Sequence, residues 1–316
     1  MHLFSALTIV IGINSLDGAY PNDEFYHAKQ SDYFEAIRVP GAWQKLKGHE
    51  RGIRTVAIID SGMESSHPDL KANAVVGYNI VDKNTDTHDR DGHGTEMAGV
   101  IGAVINNAIG IAGITDYVKL MPIYDGDAVS DEYTAASIEY AVSKHVDVIL
   151  YAPSQDKPFG DRSISALEKA SNAGIPFICT AGNDGIDISK PKNVVYPCEY
   201  TKSMDVVVCV AATDEDSMDL LDTSNYAPSI DVAAPRDVFT TALQGKYHGS
   251  SGTSVAAAIV AGVVAMMKSA SKETLTVKEV KCIIKESSVP GVETDEGVPM
   301  AFGRLDALGT IERILH

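Results

Sequence analysis

Thr55-Val56-Ala57-Ile58-Ile59-Asp60-Ser61-Gly62 is an apolar, β-branched run that stops at a carboxylate and a glycine turn. A run this short and this apolar reads as a strand buried on both faces. Similar runs recur outward from it at Val118–Ile123, Val146–Tyr151, Pro176–Cys179, Val206–Ala211 and Ile230–Ala233. Amphipathic or apolar stretches of helical character lie between and after them, at His93–Val104, Tyr133–Lys144, Ser163–Ala173, Thr253–Ala270, Val277–Glu286 and Leu305–Ile314. Buried strands alternating with helices predict βαβ units, and so an α/β fold: a doubly wound, mostly parallel sheet with helices on both faces. No linker rich in Gly, Pro or Ser divides the chain, so one catalytic-size domain is expected over residues 20–316. Residues 20–40 are polar and aromatic and lead into Pro40-Gly41, a turn signal.

Of 316 residues, 45% are hydrophobic and 22% charged, the balance of a globular enzyme that needs no metal or disulfide to have a core. Acidic residues outnumber basic ones 43 to 26 for a net charge of −17, which disfavours nucleic acid and anionic membrane surfaces as partners. No run reaches the roughly 18 apolar residues of a transmembrane helix. Residues 3–13 form a shorter apolar run followed by Ser15, Gly18 and Ala19, so residues 1–19 are a candidate signal peptide and the expected location is secreted. A cytosolic chain with an apolar N-terminal strand is the alternative. Cys179, Cys198 and Cys209 sit in or beside apolar runs and, with Cys282, form no C-x-x-C pair. Buried reduced thiols are the expectation, with a disulfide among the first three left open. Nothing signals an oligomer, and a monomer is expected.

In open α/β sheets, sites form beyond the carboxyl ends of the strands. Asp60 ends its strand there, and a partly buried carboxylate needs a hydrogen-bond partner. His93 lies between Gly92 and Gly94 at the start of a helical stretch rich in small residues, and histidine is the natural base near neutral pH. Asn183 lies in the loop Ala181-Gly182-Asn183-Asp184-Gly185 after a strand, where an amide can donate to developing negative charge. Ser254 begins a long helix after a Gly-rich turn, His248–Gly252, where the helix dipole favours an oxyanion. Each feature alone has an ordinary explanation: a turn aspartate, a surface histidine, a turn asparagine, an N-cap serine.

Together, in the order Asp…His…Ser, these residues resemble the subtilisin-like serine proteases, or subtilases. The resemblance rests on Ile59-Asp60-Ser61-Gly62, His93-Gly94-Thr95, Gly252-Thr253-Ser254 and Ala181-Gly182-Asn183. Ser66-His67-Pro68-Asp69-Leu70, Ser224-Asn225-Tyr226 and Asp231-Val232-Ala233-Ala234-Pro235 extend it, so that it covers about residues 22–310. It implies Ser254 as nucleophile, His93 as general base, Asp60 as the group orienting the imidazole, and Asn183 with the Ser254 N–H as oxyanion hole. It implies Ca2+ as structural cofactor, bound by Asp69 and the loop at Ile105, Asn107, Ile109 and Ile111. Such a set of oxygens suits a hard cation. It further implies protein or peptide substrates paired along Ala152 and Ser154, with Tyr133 lining a pocket for the side chain four residues before the cut. Asp184 stands near the pocket for the residue just before the cut.

Four positions depart from the family. Glu96 replaces the usual histidine of His-Gly-Thr-His, and its charge is placed either to raise the His93 pKa or to face solvent. Ala152-Pro153-Ser154-Gln155 replaces Ser-Leu-Gly-Gly, and Pro153 lacks a backbone donor, so narrower or weaker substrate binding is expected. Ala258 replaces a proline. No pro-domain is recognisable before Pro21-Asn22-Asp23, so a pro-domain or inhibitor remains a candidate partner. The expected function is therefore a serine endopeptidase working through an acyl-enzyme, with a catalytically weak or inactive subtilase-fold binding protein as the alternative. An α/β-hydrolase esterase is disfavoured, because no Gly-x-Ser-x-Gly elbow occurs and His316 alone follows Ser254 among the histidines.

Overall fold

A computed structural model describes residues 21–126 and 129–316; the candidate leader over 1–19 lies outside them. The chain opens with a π-helical turn at Tyr26–Gln30, α1 (Ser31–Ala36) and α2 (Val39–Leu46). It continues through β1 (Arg54–Asp60), β2 (Tyr78–Asn79), α3 (His93–Gly102), β3 (Val118–Tyr124), α4 (Asp131–Ser143), β4 (Val148–Tyr151), α5 (Asp161–Asn172) and β5 (Phe177–Thr180). Then come β6 (Val207–Thr213), β7 (Val232–Pro235), β8 (Asp237–Ala242), β9 (Lys246–Ser251), α6 (Thr253–Ala270), α7 (Val277–Ser287) and α8 (Ala307–Leu315). The polar and aromatic N-terminal segment is thus largely helical, and Pro40-Gly41 lies inside a helix and not in a turn. Pro40 occupies the first turn of α2, where its missing N–H has no intrahelical partner to lose.

Seven strands pair in parallel in the order β2-β3-β1-β4-β5-β6-β7. This is the mostly parallel sheet with helices that the apolar runs predict. The chain leaves β1 toward β3 on one side and later continues through β4 on the other, so the winding reverses at β1. Such a reversal opens a crevice at the carboxyl ends of the strands around it. The register levels those ends: Asp60 lies opposite Tyr124, and Ile59 opposite Tyr151. Asp60, Asp125 and Ala152 therefore emerge side by side.

Each face of the sheet is covered by its own apolar layer. α4 and α5 cover one face with Ile138, Ala141, Ala166 and Leu167. α3 and α6 cover the other, with α2, α7 and α8 packed outside them. α6 crosses β1, β4, β5, β6 and β7 and buries nearly its whole circumference. Among the described residues it is the one helix long and apolar enough to cross a membrane, and 89% of that window is buried inside the fold, so its hydrophobicity is accounted for by the core. Each fully buried Val or Ile of this kind contributes about 1.5–3 kcal/mol relative to exposure.

Two local findings differ from the sequence reading. The segment expected to be a Gly-rich turn at 248–252 is mostly strand β9, hairpinned antiparallel to β8. Cys198 and Cys209 are joined in a disulfide with Cα atoms 5.0 Å apart, a separation such a bond spans. Cys179 remains free and buried, and Cys282 free and exposed.

Candidate active site

The carboxyl edge gathers one cleft, lined by Asp60, Ser61, Asp91, His93, Asp125, Gly126, Ala152, Pro153 and Ser254. His93 begins α3, and its Nδ1 lies 2.8 Å from both Oδ1 and Oδ2 of Asp60. Asp60 is 6% exposed, so the pair is held out of bulk water on the carboxylate side. The helix can come this close because Gly94 has no side chain: a Cβ there would sit 2.1 Å from the Gly62 carbonyl oxygen.

Asp89 builds the turn that aims His93. Its buried carboxylate accepts from the N–H groups of Gly92 and Thr95 and from the hydroxyls of Ser61 and Thr95. Burial alone raises its pKa, but these hydrogen bonds outweigh it and hold the carboxyl below the ordinary value. The charge also sits at the positive end of α3.

Burial pulls the His93 pKa down, yet the hydrogen bond with Asp60 and the charges of Asp60, Glu96 and Asp91 outweigh it and push it up to about 9. Glu96 does not simply face solvent: Oε1 lies 2.8 Å from His248 Nε2, and Oε2 accepts from Ser250 Oγ at 2.6 Å. A second acid faces Asp60. Asp125, 7% exposed, has its pKa pushed up to about 7 by burial and then by the Asp60 charge. Asp125 comes directly after β3, as Asp60 ends β1. The rule that singled out Asp60, a carboxylate directly after an apolar strand, applies equally to it.

Ser254 is the second residue of α6 and borders the same cleft. Its Oγ makes no hydrogen bond among the described residues, a looseness common in ligand-free catalytic sites. Asn183 approaches from the loop after β5. Its Oδ1 accepts from the Thr253 N–H and the Thr253 hydroxyl, both at 2.9 Å. Because a backbone N–H must donate, the oxygen of this amide is assigned, and Nδ2 is the end without an acceptor among the described residues.

The substrate-side residues are less closely grouped. Ala152 is buried at the end of β4, and Ser154 is exposed. Tyr133 lies in the first turn of α4, with Gly126 between it and the cleft. Asp184 is exposed beyond Asn183, its carboxylate accepting from Asn225 Nδ2 at 3.3 Å. Outside the lining of the cleft, Asp69 is fully buried and held by the loop 105–111. Its oxygens accept from Asn107 Nδ2 at 2.7 Å, the Ile111 N–H at 2.9 Å and the Tyr247 hydroxyl at 3.3 Å.

Comparison with known proteins bears on this arrangement. The profile described as Subtilase family matches residues 52–304. Thermitase of Thermoactinomyces vulgaris is 31% identical over 263 residues, covering 82% of this chain and 88% of that protein. The major intracellular serine protease of Bacillus subtilis (strain 168) is 33% identical over 253 residues, covering 76% and 75%. The solved structure described as proteases from Pseudoalteromonas arctica PAMC 21717 superposes with a TM-score of 0.79 at 25% identity, covering 93% of this chain and 99% of that one. With the profile matched over most of its length and serine proteases among its relatives, the chain belongs to the subtilase family and is a serine-type endopeptidase.

Proposed function

We propose that the cleft hydrolyses peptide bonds with Ser254 as nucleophile, His93 as general base and acid, and Asp60 as the group that orients and stabilises the imidazole. The observation that carries this reading is the Asp60–His93 contact, which commits Nδ1 to the carboxylate and leaves Nε2 as the nitrogen for the cleft that Ser254 borders. As Ser254 Oγ attacks the substrate carbonyl, its proton passes to Nε2, and the carbonyl oxygen becomes an oxyanion. Asn183 Nδ2 and the Ser254 N–H at the start of α6 are the donors for that charge. Collapse expels the amine with the proton from His93 and leaves an acyl-enzyme. Water then repeats the cycle with the same proton path. A fluorophosphonate probe is expected to label the protein stoichiometrically at Ser254, mapped by peptide mass spectrometry. Labelling at another serine, or none, rejects the assignment.

The raised His93 pKa gives a pH dependence with a definite sign. The base must be neutral in the free enzyme, and below about 9 the imidazolium dominates. kcat/KM is therefore expected to rise about tenfold per pH unit up to that region and then level. A profile already flat from pH 7 contradicts the electrostatics described here.

Substrates are proposed to be extended polypeptides lying along Ala152–Ser154, with Tyr133 near the pocket four residues before the cut. Pro153 withholds one backbone donor, which narrows the set of segments that pair well. Asp125 inside the cleft and Asp184 at its rim add local negative charge. Peptides with basic or neutral apolar residues before the cut are expected to be cleaved faster than acidic ones. The bias should grow between pH 6 and 8, as Asp125 loses its proton, and shrink toward 1 M salt, where the Debye length is about 3 Å. Equal rates for acidic and basic peptides at low salt would mean that the pockets read shape alone.

For calcium, the donor set fits. Burial raises the Asp69 pKa more than its hydrogen bonds lower it, so a cation beside it would relieve an unneutralised carboxylate. The carbonyls of Ile105, Ile109 and Ile111 accept no backbone hydrogen bond among the described residues. Asn106, Ala108 and Gly110 take left-handed backbone conformations that coil the loop around Asp69. Among the described residues no cluster of three His, Cys, Asp or Glu side chains exists, so most ligands would be carbonyl and amide oxygens of this loop. Bound Ca2+ would supply rigidity, not chemistry. At 100-fold excess over Kd such a ligand adds about 2.7 kcal/mol, so chelation should lower Tm by about 4 °C. Asp69→Ala should abolish the response to chelator; an unchanged melting curve in chelator counts against the site.

A secreted location is proposed from the apolar run at 3–13 together with the Cys198–Cys209 bond, a linkage that persists in oxidising compartments. A pro-domain or inhibitor that lies along the same cleft is the proposed macromolecular partner besides substrate.

A further inference from the structure

Strands β8 and β9 form the hairpin that leads through Gly252 into Ser254, and the hairpin is fastened to the first turn of α3, the turn that His93 begins. The hydroxyls of Thr240 and Thr241 on β8 donate to the carbonyls of Glu96 and Thr95, each at 2.7 Å. Gly99 permits this approach, since a Cβ there would lie 2.2 Å from Thr241 Oγ1. On β9 the fastening is made by one side chain. Glu96 holds His248 with one carboxylate oxygen and Ser250 with the other, and only 16% of the Glu96 side chain is exposed. Ser250 lies four residues before Ser254, with the single strand end and Gly252 between them.

We infer that Glu96 is a positioning residue: by clamping His248 and Ser250 it sets β9, and through it the start of α6, against the helix that begins at His93. The inference rests on the reading of His93 and Ser254 as base and nucleophile. An exposed ion pair would contribute little. This carboxylate differs because it is largely enclosed and bridges the two segments whose relative placement sets a proton-transfer distance, where a displacement near 1 Å can lower turnover by about 100-fold. Its charge also acts on His93. The groups that face His93 are Asp60 from β1, Asp91 from the turn before α3, and Glu96 one turn along its own helix; Asp125, just after β3, faces Asp60 in turn. Glu96 itself meets His248 and the Ser250 hydroxyl from β9, and Thr240 from β8 through its main chain.

Two substitutions separate the clamp from the charge. Glu96→Ala removes both, and is expected to lower kcat on the alkaline plateau by about 10- to 100-fold with KM within about twofold, because Ala152–Ser154 is untouched. Glu96→Gln keeps an acceptor for Ser250 but no charge. It should restore plateau kcat to within about threefold of wild type while moving the acidic limb of the profile to lower pH. Ser250→Ala, which leaves the charge in place, should lower plateau kcat without moving that limb. If Glu96→Ala does not fold, Glu96→Gln and Ser250→Ala carry the test alone. Wild-type plateau kcat in Ser250→Ala, with an unmoved limb in Glu96→Gln, overturns the inference. Failure of the underlying reading shows separately, as absence of fluorophosphonate labelling in the wild type. In that event the inference is judged by two observables that need no turnover. In Glu96→Gln the His93 imidazole titration followed by NMR should fall to lower pH, and in Ser250→Ala the β9 amides 246–251 should exchange faster; no change in either overturns it.

Discussion

Ser254→Ala is expected to lower kcat for peptide hydrolysis by about a million-fold, His93→Ala by a similar factor, and Asp60→Ala by about 10,000-fold or more. These magnitudes are those of subtilisin, a member of the same family, and are carried over from it. What the present geometry adds is the reason for the ordering. Without Ser254 there is no oxygen to acylate, and without His93 no group takes its proton. Without Asp60 the imidazole keeps Nε2 but loses the partner, 2.8 Å from Nδ1, that holds its tautomer and stabilises its charged form. The double and triple substitutions should be no worse than Ser254→Ala alone, because the three side chains act as one unit. Steady-state kinetics on one peptide substrate across the seven variants decides this. Multiplicative losses, or appreciable turnover by Ser254→Ala after exclusion of contaminating protease, would reject the triad.

Asn183→Leu comes next in size, with an expected loss of about 100- to 1,000-fold in kcat and little change in KM. That range is the one known for removing an oxyanion-hole donor in subtilisin. Leucine has nearly the shape of asparagine but no donor, so the substitution deletes charge stabilisation without opening a cavity. The effect should fall on kcat because the donor acts on charge that develops only in the transition state. Thr253 determines whether Nδ2 is aimed at all, since its N–H and hydroxyl hold the amide oxygen. Thr253→Val keeps the N–H bond and removes the hydroxyl, and a smaller loss, about tenfold, is expected from it. If Asn183→Leu raises KM while leaving kcat intact, the amide binds substrate in its ground state and the oxyanion role falls.

Much of the sheet could be read from the chain. The apolar runs beginning at Thr55, Val118, Val146, Pro176, Val206 and Ile230 each contain half or more of an observed parallel strand, because strands buried on both faces must be apolar along their whole length. Thr253–Ala270 was legible to the residue, since a Gly before it and a Ser after it bound a stretch that is apolar from Val255 to Met267. The hairpin β8–β9 was not. Lys246-Tyr247-His248-Gly249-Ser250-Ser251 is mostly exposed and carries no apolar alternation, and its pairing comes from hydrogen bonds to β8 that no periodicity announces. The helices over 31–46 escaped for a related reason. Their register is set by aromatic packing of Tyr26, Phe34 and Trp43, while Pro40-Gly41 reads locally as a turn.

For the site, the sequence by itself marked the candidates for the proposed chemistry, through local motifs joined by their resemblance to one family. Asp60, His93, Asn183 and Ser254 stand out because strand ends and helix starts are where polar groups escape a buried sheet, and each lies in a glycine-flanked motif. Tertiary structure decided what those residues do to one another. Only the register of β1 against β3 brings Asp125 beside Asp60, and only the docking of the hairpin on α3 turns Glu96 from a surface acid into a clamp. Only the fold around Cys198 brings it to Cys209 and leaves Cys179, the register neighbour of Cys209, unpaired. The physical reason is range. A strand or a helix is specified by the properties of neighbours along the chain. A pKa, a hydrogen bond or a disulfide depends on distances of a few ångströms between residues tens of positions apart, and those distances exist only after the core has packed.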